Sequence, residues 1–362
     1  MFLGPSFFAR LPLFSGISVS APARHERPSA RRARPNAAAE AARARIKEAR
    51  RLLEASPARS TDAVTLAVEG GSGVHLLRLR KEEFLREGGE TVAVSSLGET
   101  LRVSVVRPNY VNTSVRVTGA GGRELRPLLV QYPIERNGAL SEVAYYASAH
   151  PAASSDATAR AGGEYVRTML DEAAARLAGK GKTISPDVVD VAERLCFVEH
   201  ADHKRFMTED RGALFSEIQT LYALNAGDTY RYSVSSAGAG GMVQMIPSTY
   251  DMVRRLHPSA GLKEDFVEGM RDHSNALEAM LLYMQGTWDD LLRSEDVVAA
   301  LSTGTATQAE LLAAGYNSNP ARLPRYLRAG GDAWRQLIPS ETQMYLRIYA
   351  SVESLVGFED RS

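Results

Sequence analysis

The chain has 362 residues, enough for about two ordinary domains, and 44% of them are hydrophobic, so it can bury a substantial core. Its 43 acidic and 43 basic side chains balance, which excludes an argument from overall charge for binding to nucleic acid or to an anionic membrane. The one cysteine, Cys196, excludes an intrachain disulfide, and the absence of a run of about 20 apolar residues argues against an integral membrane segment.

The N-terminal region has the composition of an export signal followed by a basic arm. In residues 1–23, Arg10 precedes a short apolar stretch, and Ala21-Pro22-Ala23 has the small-x-small pattern of a cleavage site, so a signal peptide is predicted. Residues 24–60 are rich in Arg and Ala, and residues 37–55 within them are strong helix formers that predict a helix. This basic segment is interpreted as a solvated helix or linker, with contact to anionic polymers or lipid headgroups as the alternative.

After the basic segment, the sequence pattern is first typical of β-strands and then typical of helices. Residues 61–147 contain short segments rich in β-branched residues, separated by glycine-containing turns, and predict a small antiparallel β-sandwich or barrel without any chemical signature. Residues 148–162 are small and polar and are interpreted as a linker. Residues 163–358 have helical periodicity almost throughout. The predicted fold class is therefore α+β multidomain, a β module followed by an all-α domain.

A glutamate stands on the apolar stripe of one predicted helix. Ser185-Pro186-Asp187 is a strong helix start, and the apolar positions Val188, Ala192 and Leu195 follow at helical spacing. The next step of four residues reaches Glu199, where an apolar side chain would be expected. Because burial of an ionised carboxylate is costly, such a group holds its proton to higher pH and is able to act as a general acid.

The neighbours of Glu199 leave other interpretations open. Its carboxylate is also placed to turn toward solvent or to pair with Arg194 or Lys204 at the helix end. His200 and His203 share a helix face, but their spacing lacks the His-Glu-x-x-His pattern of a zinc site, so no metal is predicted. Cys196 has no basic neighbour placed to produce a thiolate and is predicted to be a packed side chain.

A glycine-rich segment, residues 235–250, is predicted to be a tight loop before a helix that begins at Pro247. Small residues permit close approach of a ligand to the backbone, and Gln244 offers an amide donor and acceptor. A phosphate-binding loop is excluded because no Gly-Lys-Ser/Thr sequence follows and no strand precedes the glycines.

The glycine-rich segment and three later motifs resemble those of a known family, the soluble lytic transglycosylase (SLT) domain of goose-lysozyme type. Residues 235–250 resemble its Ser-x-x-Gly-Ala-x-Gly-Leu-Met-Gln-Leu-Met-Pro-x-Thr motif. Residues 272–277 resemble Asp-Pro-x-x-Asn-Ile, residues 314–320 resemble Ala-Tyr-Asn-Ala-Gly-Pro, and residues 338–345 resemble Pro-x-Glu-Thr-x-x-Tyr. The resemblance covers residues 185–355 and implies a lysozyme-like domain that cleaves bacterial peptidoglycan.

The resemblance also implies the roles of individual residues. Glu199 is at the position of the family's single catalytic acid/base, and no cofactor is implied. The resemblance implies six further residues at the substrate site. Gln244 and Tyr316 contact the sugar and its N-acetyl group, Asn317 anchors the segment around Tyr316, Ser235 orients the carboxylate, Glu341 braces Tyr316 or the cleft floor, and Met242 belongs to the binding loop.

The chain departs from the family in two places near Glu199. His200 stands where the family has Ser, and the separation between Glu199 and the glycine loop is much longer than in the family. Residues 209–232 are therefore predicted to be an insertion, a helix and an aromatic-bearing loop beside the cleft. The insertion leaves Glu209 and Glu217 as rivals to Glu199, although neither ends an apolar-stripe helix.

Two other functions remain as alternatives. A hydrolase of muramidase type requires a second carboxylate, for which Asp202, Asp210, Asp228 and Asp251 are candidates. A catalytically inactive domain that binds cell-wall glycan is the alternative from another class. The resemblance implies a location in the bacterial periplasm or envelope, and the β module is a candidate site for a protein partner there.

Overall fold

The computed structural model describes residues 37–71, 73–148 and 155–361. The predicted signal peptide, residues 1–23, lies outside the described residues, as does the basic arm up to residue 36. The helix predicted over residues 37–55 is present as α1, Ala37–Glu54. Ala49 and Leu53 of α1 are fully buried against the β module, so this helix covers part of the sheet.

The β module is a seven-stranded antiparallel sheet that curls toward a barrel, as predicted for this region. Its central strand is the longest one, and it pairs with three other strands. The two ends of the sheet approach each other where Ser96 N donates to the carbonyl of Leu76 at 2.9 Å. The strands are β1 Ala63–Gly70, β2 Gly73–Arg80, β3 Glu90–Val94, β4 Thr100–Arg107, β5 Ser114–Thr118, the central β6 Glu124–Arg136 and β7 Ala139–Tyr146, with a short helix α2, Lys81–Phe84, between β2 and β3.

The remainder of the described chain is helical, which confirms the prediction of a β module followed by helices. The helices are α3 Asp156–Gly179, α4 Pro186–Val198, α5 His203–Thr208, α6 Arg211–Leu224, α7 Pro247–Leu256, α8 Phe266–Arg271, α9 His273–Leu291, α10 Glu295–Ser302, α11 Gln308–Asn317, α12 Leu323–Gly330 and α13 Ser340–Leu355. Helix α4 lies at the centre, and its residues from Val188 to Val198 are all buried. Among the described residues, no helix combines the length and apolar character needed to cross a bilayer.

The predicted linker 148–162 is helical in its second half, which corrects the sequence interpretation. Helix α3 begins at Asp156, after Ser155 caps it by accepting a hydrogen bond from Thr158 N at 3.1 Å. The small residues that suggested a linker instead permit close packing between helices. Gly162 lies so near α6 that a Cβ at this position would clash with the carbonyl oxygen of Gln219.

Gly162→Ala is therefore expected to destabilise the protein by about 1–3 kcal/mol or more, because the added methyl group must push α3 away from α6. The neighbouring Gly163→Ala is the matched control, since its Cβ would meet only the flexible side-chain amide of Gln219 at 3.3 Å. Urea denaturation of both variants measures the difference. Equal stability of the two would contradict the close packing described here.

The segment 209–232 joins the two modules. Its helix, α6, packs along α3, while Leu221 belongs to the buried core of the β module. Glu217 of α6 pairs with Arg107 at the end of β4 at 2.7 Å. Asn225, which follows α6, exchanges hydrogen bonds of 2.7 Å with the backbone N–H and carbonyl of Ala147. The predicted helix and aromatic loop are thus present, and they are held between the two modules.

Candidate active site

A cavity of about 910 Å³ opens among the end of α4, the glycine loop, α9, α11 and the start of α13. These elements are far apart in sequence, yet all of them except α9 contribute a residue that the sequence analysis singled out. The predicted site residues that line the cavity are Glu199, Ser235, Gln244, Tyr316, Asn317 and Glu341. The structure therefore brings together six of the residues predicted to form the site.

Glu199 stands at the C-terminal end of α4 and is only partly exposed to the cavity. Burial raises the pKa of its carboxyl to about 8, and the nearby charge of Glu341 acts in the same direction, whereas the hydrogen bond from Tyr345 partly opposes it. A helix C-terminus also disfavours a negative charge. Glu199 therefore holds its proton near neutral pH, as a general acid must.

The two rivals of Glu199 lie outside this cavity. Glu209 is exposed and pairs with Arg205. Burial alone would raise the pKa of Glu217, but Arg205 and Arg107 more than offset this effect, so its pKa is lowered and the group is ionised. Neither glutamate lines the cavity that Glu199 lines.

Tyr345 is the direct partner of Glu199, a contact that the sequence analysis did not predict. Its hydroxyl donates a hydrogen bond of 2.5 Å to Glu199 Oε1, and its ring is buried in α13. Tyr345 is the last residue of the motif at residues 338–345, one helical turn after Glu341. Because the phenol O–H stabilises the ionised carboxylate, Tyr345 limits how far burial raises the pKa of Glu199.

For a reaction that uses the proton of Glu199, Tyr345→Phe is expected to lower the rate about tenfold to a hundredfold, the range for loss of a hydrogen bond to a charged group. It also removes a contact that favours the ionised form, so the pKa of Glu199 rises further above its value of about 8. The pH–rate profile checks this, because its alkaline limb moves to higher pH. A slower enzyme with an unmoved alkaline limb would assign Tyr345 a merely structural role.

Gln244 of the glycine loop and Tyr316 of α11 line the cavity, and hydrogen bonds fix both side chains. Gln244 has a left-handed backbone with φ of 46°, and its Nε2 donates to the carbonyl of Gly241 at 2.7 Å. Its amide oxygen has no hydrogen-bond partner among the described residues and is available to a ligand. Tyr316 donates its hydroxyl to the carbonyl of Val243 at 2.6 Å, which ties α11 to the loop. The phenol oxygen of Tyr316 can still accept a hydrogen bond from a ligand.

The contacts of three other predicted site residues, Ser235, Met242 and Asn317, define their roles more closely. The hydrogen bond to the carboxylate of Glu199 comes from Tyr345 and not from Ser235, whose Oγ accepts from Ala239 N at 3.0 Å and closes the glycine loop. Met242 belongs to the glycine loop, but its side chain has no exposed surface and packs in the helical core, so only its backbone is placed to meet a ligand. Asn317 accepts a hydrogen bond of 2.8 Å from Thr342 at the start of α13, which agrees with an anchoring role.

The carboxylates proposed for a hydrolase do not line the cavity. Asp202 and Asp210 cap the N-termini of α5 and α6, and Asp228 and Asp251 also lie outside the cavity lining. Two other acidic side chains share the cavity with Glu199. They are Glu341, which is exposed and acts on Glu199 through its charge, and Asp290 of α9. A two-carboxylate reaction in this cavity would have to use one of them.

Two residues near Glu199, Cys196 and His200, have pKa values that are strongly shifted by burial. Cys196 is fully buried, and burial raises the pKa of its thiol far above the usual range, so it is a packed thiol. Burial lowers the pKa of His200 to about 3, so its imidazole is neutral. Its Nε2 contacts the carbonyl of Met242 at 2.9 Å, and its ring is stacked on Tyr230. Among the described residues no group of three or more metal-ligating side chains is brought together.

The insertion, predicted to lie beside the cleft, does not form part of its lining. None of residues 209–232 lines the cavity, because the aromatic side chains of this segment point toward other partners. Tyr222 donates to the carbonyl of Cys196 at 2.9 Å, and Tyr232 donates to Glu142 of β7 at 2.7 Å. The extra length between Glu199 and the glycine loop is therefore used for packing behind the site.

Comparisons of the chain with models of protein families, with curated protein sequences and with solved structures gave no match.

Proposed function

We propose that the protein is a lytic transglycosylase that cleaves the β-1,4 bond from MurNAc to GlcNAc in bacterial peptidoglycan. The proposal is supported above all by Glu199, a single protonated carboxyl with a pKa of about 8 in a cavity large enough for sugar residues. The placement of Gln244 and Tyr316 in the same cavity adds to this support. The motifs of residues 185–355 further suggest a lysozyme-like arrangement of the helical module.

In the proposed reaction Glu199 acts first as an acid and then as a base. Its proton passes to the bridging oxygen as the bond to the anomeric carbon C1 of MurNAc breaks. The N-acetyl carbonyl of the same sugar stabilises the positive charge at C1, in place of a second protein carboxylate. Ionised Glu199 then accepts the proton of the C6 hydroxyl, whose oxygen bonds to C1. The product is a 1,6-anhydro-MurNAc end, and no water is consumed.

Tyr345 serves both steps, since its hydroxyl stabilises the ionised carboxylate that exists between them. Gln244 has its amide oxygen available for an N–H or hydroxyl group of the glycan. Tyr316 can accept a hydrogen bond from the N-acetyl N–H while its own hydroxyl continues to donate to the carbonyl of Val243. These contacts hold the sugar without adding a charge beside C1.

Mass spectrometry of digested sacculi tests the reaction. The expected products carry 1,6-anhydro ends and are lighter by one water than hydrolysis products. Reducing ends, and incorporation of ¹⁸O from labelled water, would instead establish a muramidase-type hydrolase. Glu341→Gln then separates the two further, because a hydrolase that uses Glu341 as its second carboxylate would lose activity in this variant.

A catalytically inactive glycan-binding domain remains the alternative from another class. It predicts that the purified chain sediments with sacculi but releases no soluble fragments. For the proposed activity the substrate lies in the bacterial envelope, so a periplasmic or envelope location is part of the proposal. Fractionation of cells that express the full chain tests it, and recovery in the cytoplasm alone would contradict it.

A further inference from the structure

Tyr230 lies against the cores of both modules. It packs at the edge of the helical core and also at the edge of the β-module core. Around it the two modules are held together by ion pairs. Arg107 of β4 and Arg205 of α5 both bind Glu217 of α6, and Arg231 and Arg271 both bind Glu142 of β7.

The backbone at Tyr230 is held in a conformation that a tyrosine rarely adopts. Its φ of 58° is in the left-handed region, which costs free energy for a residue with a large side chain. Local bonds maintain this conformation: Tyr230 accepts from Ser233 N at 2.8 Å, and the preceding Thr229 donates its hydroxyl to the carbonyl of Asn225 at 2.9 Å. The ring of Tyr222 also contacts it edge-on, with centroids 5.4 Å apart.

This strained residue presents its ring to His200, the residue next to Glu199. The two rings are parallel within 3°, and their centroids are 3.4 Å apart. The imidazole Nε2 is 2.9 Å from the carbonyl oxygen of Met242, and since a carbonyl only accepts, Nε2 carries the proton and donates it. His200 thus connects the end of α4, where Glu199 stands, to the glycine loop on the other wall of the cavity.

We propose that Tyr230 is a positioning residue for Glu199, acting through the stacked ring of His200 and supported from behind by the β module. With the stack in place, His200 has one ring orientation, and its bond to Met242 sets the separation between Glu199 and the loop that carries Gln244 and Val243. Without it, the imidazole is free to rotate and that separation is no longer fixed. This gives the segment 209–232 and the β module a role in the reaction although neither lines the cavity.

The kinetic part of this inference rests on the proposed function. Tyr230→Leu removes the aromatic face and keeps an apolar side chain, whereas Tyr230→Phe keeps the ring and is the matched control. On soluble glycan strands we expect Tyr230→Leu to lower kcat about tenfold to a hundredfold with little change in KM, since a small misplacement of a catalytic group has effects of this size. Tyr230→Phe is expected to retain most of the activity.

A second measurement is independent of glycan cleavage. Burial keeps the pKa of His200 at about 3, and the nearby His273 acts in the same direction, so its NMR signals should not titrate above about pH 4 in the wild-type protein. In Tyr230→Leu water reaches the ring and the pKa moves toward its ordinary value of 6.5. Tyr230→Phe should behave like the wild type.

The two measurements separate failure of the inference from failure of the proposed function. An unchanged kcat together with a neutral, non-titrating His200 in Tyr230→Leu overturns the inference, whatever reaction the protein catalyses. If the wild-type chain cleaves no glycan, the proposed function fails, and the His200 titration alone decides whether Tyr230 holds the ring. If Tyr230→Leu does not fold, Tyr230→Met, with a flexible side chain that fills irregular gaps, replaces it with the same expected and contradicting outcomes.

Discussion

Glu199→Gln is expected to abolish glycan cleavage, with kcat lowered on the order of 10³-fold or more. Glutamine has nearly the same shape as protonated glutamate, and its amide oxygen can accept the hydrogen bond that Tyr345 donates to Glu199. The fold and the cavity should therefore be retained. An amide, however, has no acidic proton to transfer to a leaving oxygen and is too weak a base to accept one from the C6 hydroxyl. Release of soluble fragments from sacculi, followed by mass spectrometry, measures the loss.

Glu209→Gln is the matched control, since Glu209 is a surface glutamate outside the cavity whose carboxylate pairs with Arg205. It should cleave glycan at the wild-type rate. Glu199→Gln should still sediment with sacculi, because the residues proposed to contact the sugar are unchanged. Full activity of Glu199→Gln would remove this residue from the mechanism. Loss of activity together with loss of binding would point to damage of the whole site, and so to no specific role for its proton.

The sequence led to Glu199 through one local pattern, the spacing from Val188, Ala192 and Leu195. The pattern located the residue at the end of α4, but it did not establish why this glutamate differs from others nearby. Glu193 is even more deeply buried, and burial raises its pKa as well. It is bound by Arg361 and Arg167, however, and does not line the cavity. The cavity and the contact with Tyr345 distinguish Glu199, and both depend on residues distant in sequence.

In the rest of the molecule, too, local features were predictable and contacts between distant residues were not. Helix α1, the strands and the helix within 209–232 were predictable, because propensity and periodicity are local properties of the chain. The position of the insertion was not, since it depends on pairs such as Arg107 with Glu217 that bring separate modules together. Residues 156–162 show the limit most directly. Their small side chains suit a linker and a tight helix contact equally well, and only the facing residue Gln219 decides between them.

The raised pKa of Glu199 also has a consequence for stability that is measurable without substrate. The carboxyl has a pKa of about 8 in the folded chain, against 4.5 for an ordinary glutamate, the value expected in the unfolded chain. Below pH 4.5 both states are protonated, and Glu199 makes no difference. Between pH 4.5 and 8 the unfolded chain has released a proton that the folded chain still holds. The free energy of unfolding therefore falls as pH rises through this window.

Glu199→Gln removes this dependence, so it is expected to be more stable than the wild type at pH 8–9 and equally stable near pH 4. The two pKa values limit the gain to about 5 kcal/mol, and water that enters the cavity beside the ionised carboxylate reduces it. Urea denaturation of both proteins from pH 4 to 9 measures the difference, in which the titration of all other groups cancels. A difference independent of pH would mean that Glu199 is hydrated and ionised at neutral pH, and the proton required for glycan cleavage would then be missing. A substitution that removes activity and increases alkaline stability would show that the fold tolerates a destabilising carboxyl because the reaction needs it.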